Sequence, residues 1–123
     1  MPFSINIFPS EQLVRVEAHG AINLRDCVET ITNVIRHPDF NPQYRILADL
    51  RATKYEPSTM ELHGLISVLS GNRAMYQNKI AVVIPDSMAQ LARMVCRMAQ
   101  TAGITIQPFT STDSATQWLN DSH

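Results

Sequence analysis

The stretch Lys79-Ile80-Ala81-Val82-Val83-Ile84-Pro85-Asp86 decides the fold. Its aliphatic residues run together without alternation, the pattern of a strand covered on both faces, and such strands lie at the centre of parallel sheets. Parallel neighbours are joined by crossovers, so a central parallel strand needs a helix on either side of it in sequence. Both are present. Upstream, Ser58-Thr59-Met60-Glu61 spells a capping box ahead of the apolar stripe Leu62, Leu65, Ile66 and Leu69, with Gly71 as a C-cap candidate. Downstream, Pro85-Asp86 opens a third helix, with Asp86 as its cap and Gly103 as its stop.

The same alternation extends outward. Arg45 to Leu50 is a strand whose core, Ile46-Leu47-Ala48, again does not alternate. Before it, Asn23 is an N-cap with Asp26 three residues on, and Leu24, Cys27, Val28, Ile31, Val34 and Ile35 fall within about 120° of a helical wheel. Pro38 ends that helix. Phe3, Ile5 and Ile7 recur at period two, as do Val14, Val16 and Ala18, so two half-exposed strands are joined by the short turn Pro9-Ser10-Glu11-Gln12, and Gly20 breaks the second. Ile104 to Phe109 is a fifth strand, and Ser111 or Thr112 caps a last helix that turns Ala115, Trp118 and Leu119 inward. The order β-β-α-β-α-β-α-β-α predicts a single α/β domain over residues 1–123, with a mostly parallel five-stranded sheet, four helices and the first strand antiparallel.

Composition narrows the function. Ten Lys and Arg against eleven Asp and Glu give a net charge of −1, which argues against a nucleic-acid partner, since such binders gain from a basic field. No apolar run is long enough to span a bilayer, and no charged-then-apolar leader is visible. Cys27 and Cys96 are too few for a disulfide framework or a zinc knuckle, so a reducing, cytoplasmic setting with no metal and no cofactor is expected. The glycine-rich, H-E-x-x-H and paired C-x-x-C motifs are all lacking.

The polar candidates converge on one edge of the sheet. Asp49 and Arg51, with Thr53 and Tyr55 beyond them, sit at the carboxyl end of a central strand, and Asp86 leaves the neighbouring strand at the same edge, where open α/β sheets bind ligands. They form either a polar crevice with Ser58, or an Asp49–Arg51 pair beside two helix caps. Ser58 lacks a base on its own helical face and a G-x-S-x-G elbow, so no enzyme is expected. Along the third helix the apolar residues, Met94 and Met98 among them, cover about 220° of the wheel, twice the stripe a surface helix needs. Either the last helix covers that flank through Trp118, or it is an interaction face, for which a symmetric homodimer is the economical use. Arg93 and Arg97 would rim the contact.

The order and spacing of several segments resemble a known group. Val14-Arg15-Val16-Glu17-Ala18-His19-Gly20, Arg45-Ile46-Leu47-Ala48-Asp49-Leu50-Arg51, Lys79-Ile80-Ala81-Val82-Val83 and Phe109 with Ser114-Ala115-Thr116-Gln117-Trp118-Leu119 together resemble the STAS-like domains of anti-sigma-factor antagonists and their CRAL-TRIO-type relatives. The resemblance implies a non-catalytic regulatory or protein–protein interaction module, or alternatively a small carrier or sensor of an apolar ligand such as a lipid or fatty acid. It also implies a phosphorylation candidate at Ser58, where the antagonists carry a regulated Ser in a D-S-S-G-like turn. Here Pro57 stands in place of the Asp and Met60 in place of the Gly.

Overall fold

A computed structural model describes residues 2–121. β1 (Phe3–Phe8) and β2 (Leu13–Ala21) pair antiparallel, and β3 (Arg45–Lys54), β4 (Ile80–Val83) and β5 (Ile106–Phe109) follow in parallel, giving a sheet of order β1-β2-β3-β4-β5. Four helices intervene: α1 (Leu24–Arg36), α2 (Thr59–Gly71), α3 (Ala89–Thr101) and α4 (Thr112–Asn120). The α/β architecture and the element order are those expected from the sequence.

Side-chain parity along the strands separates two cores. Val14, Val16, Ile46, Ile80 and Ile106 point to the face that receives Val34 of α1, Leu69 of α2, and Cys96 and Ala99 of α3. Leu47, Ala81 and Val83 point to the other, where Ala115 and Leu119 of α4 cover them. β4 is apolar throughout because both of its faces are covered. Three helices therefore lie on one face and only α4 on the other. The expectation that the last helix covers the flank of α3 through Trp118 is corrected: the two lie on opposite faces, and α2 is the helix beside α3.

Local chemistry sets the helix ends. Asn23 and Asp26 form a reciprocal capping box, and Ser58 and Glu61 form another. α3 closes in a Schellman arrangement: Gly103, at φ +94°, donates to the Gln100 carbonyl, and Ile104 donates to that of Ala99. Ile104 is thus consumed in ending the helix, and β5 begins at Ile106 rather than at Ile104. Two further expectations change. β2 does not stop at Gly20 but shifts register between Glu17 and His19 and continues to Ala21, with Gly20 at φ +82°. Leu62 and Leu69 are the buried positions of α2, while Leu65 and Ile66 are half-buried.

At the amino ends of β3 and β4, two cations hold the carboxyl end of α4. Arg45 donates to the Leu119 carbonyl at 3.1 Å, and Lys79 Nζ donates to that of Trp118 at 2.9 Å. Cations suit a helix C-terminus, where carbonyls lack intrahelical partners. This fixes one end of the sheet and leaves the carboxyl ends of the strands as the open edge.

Candidate functional site

α4 is short and lies mainly over β3, β4 and β5, with Leu13 at the start of β2 packed against its cluster, so the rest of that face of β1 and β2 is left open. There the alternation of β2 turns Arg15, Glu17 and His19 outward, and the parallel register sets Glu17 beside Asp49. Asp49 is bound by Arg51, with Nε–Oδ1 at 3.0 Å and Nη2–Oδ2 at 2.8 Å, and its Oδ1 also accepts the Arg51 amide at 3.2 Å. These bonds, with the guanidinium charges of Arg51 and Arg15, hold the Asp49 carboxyl below its ordinary range despite opposition from burial. Arg15 pairs with Glu17 at 2.7 Å. The resulting hollow, of about 600 Å³, is lined by Ser4, Glu17, His19, Asp49 and Arg51.

Asp49 and Arg51 are therefore brought together as the sequence suggests, but Asp86 is not. It lies outside that hollow, in the 3-10 turn Asp86–Met88 that leads towards α3. Nor does it cap α3. Met88 holds the N-cap position with no side-chain bond, because the chain first closes a turn through the Met88 amide and the Pro85 carbonyl. Ser58 is held in its capping box, its Oγ accepting from the Glu61 amide at 3.2 Å and the Glu61 carboxylate accepting from the Ser58 amide at 3.0 Å. The partners of Asp49 on β2 were missed in the sequence. Glu17 and His19 show there only as the polar side of an amphipathic strand, and their meeting with Asp49 needs the strand order.

A second hollow, of about 420 Å³, opens between the turn after β3 and the turn after β4. Lys54, Tyr55, Pro57, Pro85, Met88 and Leu91 line it. The Tyr55 hydroxyl is buried beside Cys27 and finds no hydrogen-bond partner of good geometry. Burial pushes the Cys27 thiol up to about 11, with Tyr55 opposing and the Asp26 charge adding to the rise. From Leu91 an apolar ridge continues along α3 through Met94 and Met98. Met98 is half-buried, while Met94 is 47% exposed. On α2 Met60 is 83% exposed, a large apolar side chain in the first turn of the helix. α3 carries Arg93 and Arg97, both exposed, and no acidic residue. Among the described residues no cluster of His, Cys, Asp and Glu could hold a metal ion, and no helix is long and apolar enough to cross a membrane.

The sheet of order β1-β2-β3-β4-β5, with three helices on one face and one on the other, has the SpoIIAA-like, STAS-like fold of a solved structure. The chain is similar to an uncharacterised protein of the DUF3478 family from Shewanella loihica PV-4, whose crystal structure has a SpoIIAA-like fold. The TM-score is 0.62 and the identity 12%, with 95% of this chain and 93% of that one covered. No protein-family model matches the sequence, and no curated protein does.

Proposed function

We propose that this protein is a non-catalytic interaction module of STAS-like type that works in the cytoplasm and meets a protein partner along the Leu91–Met94–Met98 ridge of α3. The single observation that carries the reading is the exposure of Met94 on a helix whose only charges are basic. A flexible thioether suits an adaptable contact, and Arg93 and Arg97 suit a partner whose apolar surface has an acidic rim. The groups that could do chemistry support the same reading. Ser58 Oγ is engaged as a cap, the Asp49 carboxylate is gripped by Arg51, and burial raises both thiols to about 11. Ser58 accordingly serves as a structural cap and not as a phosphorylation switch.

Photo-crosslinking tests this. A photoreactive residue at position 94, installed in the full chain in its native cells, is expected to give a discrete adduct with a different protein. The adduct should disappear when Arg93→Glu and Arg97→Glu are added. The same probe at Gln117, exposed on α4, should give none. Equal labelling from both positions, or no adduct from position 94, would contradict the reading.

The hollow beside Tyr55 supports the second reading, an apolar small-molecule ligand, because Pro57, Pro85, Met88 and Leu91 line it, with Lys54, Glu56 and Ser87 as polar groups among them.

A further inference from the structure

The two edges of the sheet are finished in different ways. The edge at β5 is blunted. That strand has four residues, Pro108 removes an amide from it, and the Gln100 side chain donates to the Ile106 carbonyl at 2.8 Å. β1, at the other edge, has none of these devices. Phe3-Ser4-Ile5-Asn6-Ile7-Phe8 carries no charge and no proline, and Pro2 and Pro9 merely bracket it. Such a strand is a template for pairing with another chain.

The direction of its free groups follows from one bond. The His19 amide donates to the Pro2 carbonyl at 3.0 Å, and Phe3 lies opposite Ala18. In an antiparallel pair, facing residues either exchange hydrogen bonds or turn away from each other. Pro2, Ser4, Asn6 and Phe8 therefore turn to β2, and Phe3, Ile5 and Ile7 turn their amides and carbonyls outward. Among the described residues no hydrogen bond reaches those outward groups.

We propose that β1 is the seam of a symmetric homodimer, pairing antiparallel with β1 of a second copy about a two-fold axis at Ile5, so that two five-stranded sheets join into one of ten. Three features fit that register. Ile5 meets Ile5 of the second copy and Phe3 meets its Ile7, so every outward amide finds a carbonyl. Residues of one parity meet residues of the same parity, so the helix-bearing faces of the two sheets become continuous. The flank of α1 is also self-complementary. Phe3 and Ile5 lie in a groove against Asp26, Glu29, Thr30 and Asn33, which places Ile5 beside the middle of α1. The two-fold axis sets the second α1 across the seam from the first and antiparallel to it. Asp26 then faces Arg36 of the second copy, and Glu29 faces its Asn33. The interface is isologous, as a two-fold contact must be. It lies at the sheet edge away from α3 and leaves the α3 ridge free for another protein, so the two readings stand or fall separately.

Sedimentation equilibrium of the full chain is the test. The wild type is expected at twice the chain mass, and Met94→Lys should leave that mass unchanged. Ile5→Pro takes an outward amide from the seam and none from the β1–β2 ladder, so it should sediment as a monomer. Should Ile5→Pro fail to fold, Asn33→Glu decides. It sets a carboxylate opposite Glu29 at two symmetric places and should raise the dissociation constant roughly tenfold, and adding Glu29→Lys should restore pairing. A wild type that stays monomeric at millimolar concentration overturns the proposal. So does a dimer that Met94→Lys dissolves and Ile5→Pro spares, or an Asn33→Glu defect that Glu29→Lys leaves in place.

Discussion

Arg51 folds back along β3 to grip Asp49 with both arms of its guanidinium, at 3.0 and 2.8 Å, on the part of the sheet that α4 leaves bare. The two residues lie two apart at an irregularity of β3, which has three steps from Asp49 to Ala52 against two on β2 from Glu17 to His19, and there the Asp49 carboxylate accepts from both the amide and the guanidinium of Arg51. The pair neutralises a carboxylate that would otherwise crowd Glu17 on the adjacent strand. It makes this hollow a finished piece of structure, with the Asp49 carboxylate already occupied.

The folded pKa of Asp49 lies below its unfolded value, so its contribution to stability is present above the ordinary carboxylate range and is lost as pH falls through the folded pKa. Arg51→Gln should therefore be less stable than wild type at neutral pH, and the difference should shrink towards zero in acid. Denaturant titrations across pH check this, and a carbon NMR titration of the Asp49 carboxyl should show its midpoint move up in the variant.

Ser58 is expected to behave as a cap. Ser58→Ala should lose about 1 kcal/mol, whereas Ser58→Asp should keep the cap and its contact with the helix N-terminus. Urea denaturation measures both. Incubation with a Ser/Thr kinase should leave the chain unmodified at Ser58.

The half-burial of Leu65 against the full burial of Leu69 gives a graded expectation on one helix. Leu69→Ala should cost roughly 2–5 kcal/mol through lost burial and the cavity left behind. Leu65→Ala should cost about half of that, because the site is open on one side. Equal denaturation midpoints for the two variants would mean that α2 is turned differently on the sheet.

Both thiols should be inert at neutral pH. Burial raises Cys27 and Cys96 to about 11, so little thiolate is present at pH 7. A thiol-specific chromogenic reagent should react slowly with the folded protein and at once in denaturant. In the folded state the rate should climb with pH up to about 11.

What was legible in the sequence was local. The capping boxes at Asn23 and Ser58 and the unbroken apolar run of β4 are written in residues a few positions apart, and the element order follows from them. What depended on lateral placement was not. The sequence shows that α3 is apolar over too wide an arc, but not that α2 lies beside it while α4 lies on the far face. Asp86 reads as a helix cap until the Pro85–Met88 turn displaces the start of α3. Asp49 and Arg51 are close because they stand two apart in sequence, yet Glu17 reaches them only through the β2–β3 register.

Native mass spectrometry of protein gently purified from its own cells tests the central claim most directly, because it weighs self-association, partner and ligand together. An interaction module should be seen as copies of the chain with or without a second protein, and with no small-molecule mass retained. A stoichiometric fatty acid or lipid on each chain, released by mild denaturation, would contradict the account and make the hollow beside Tyr55 the functional site.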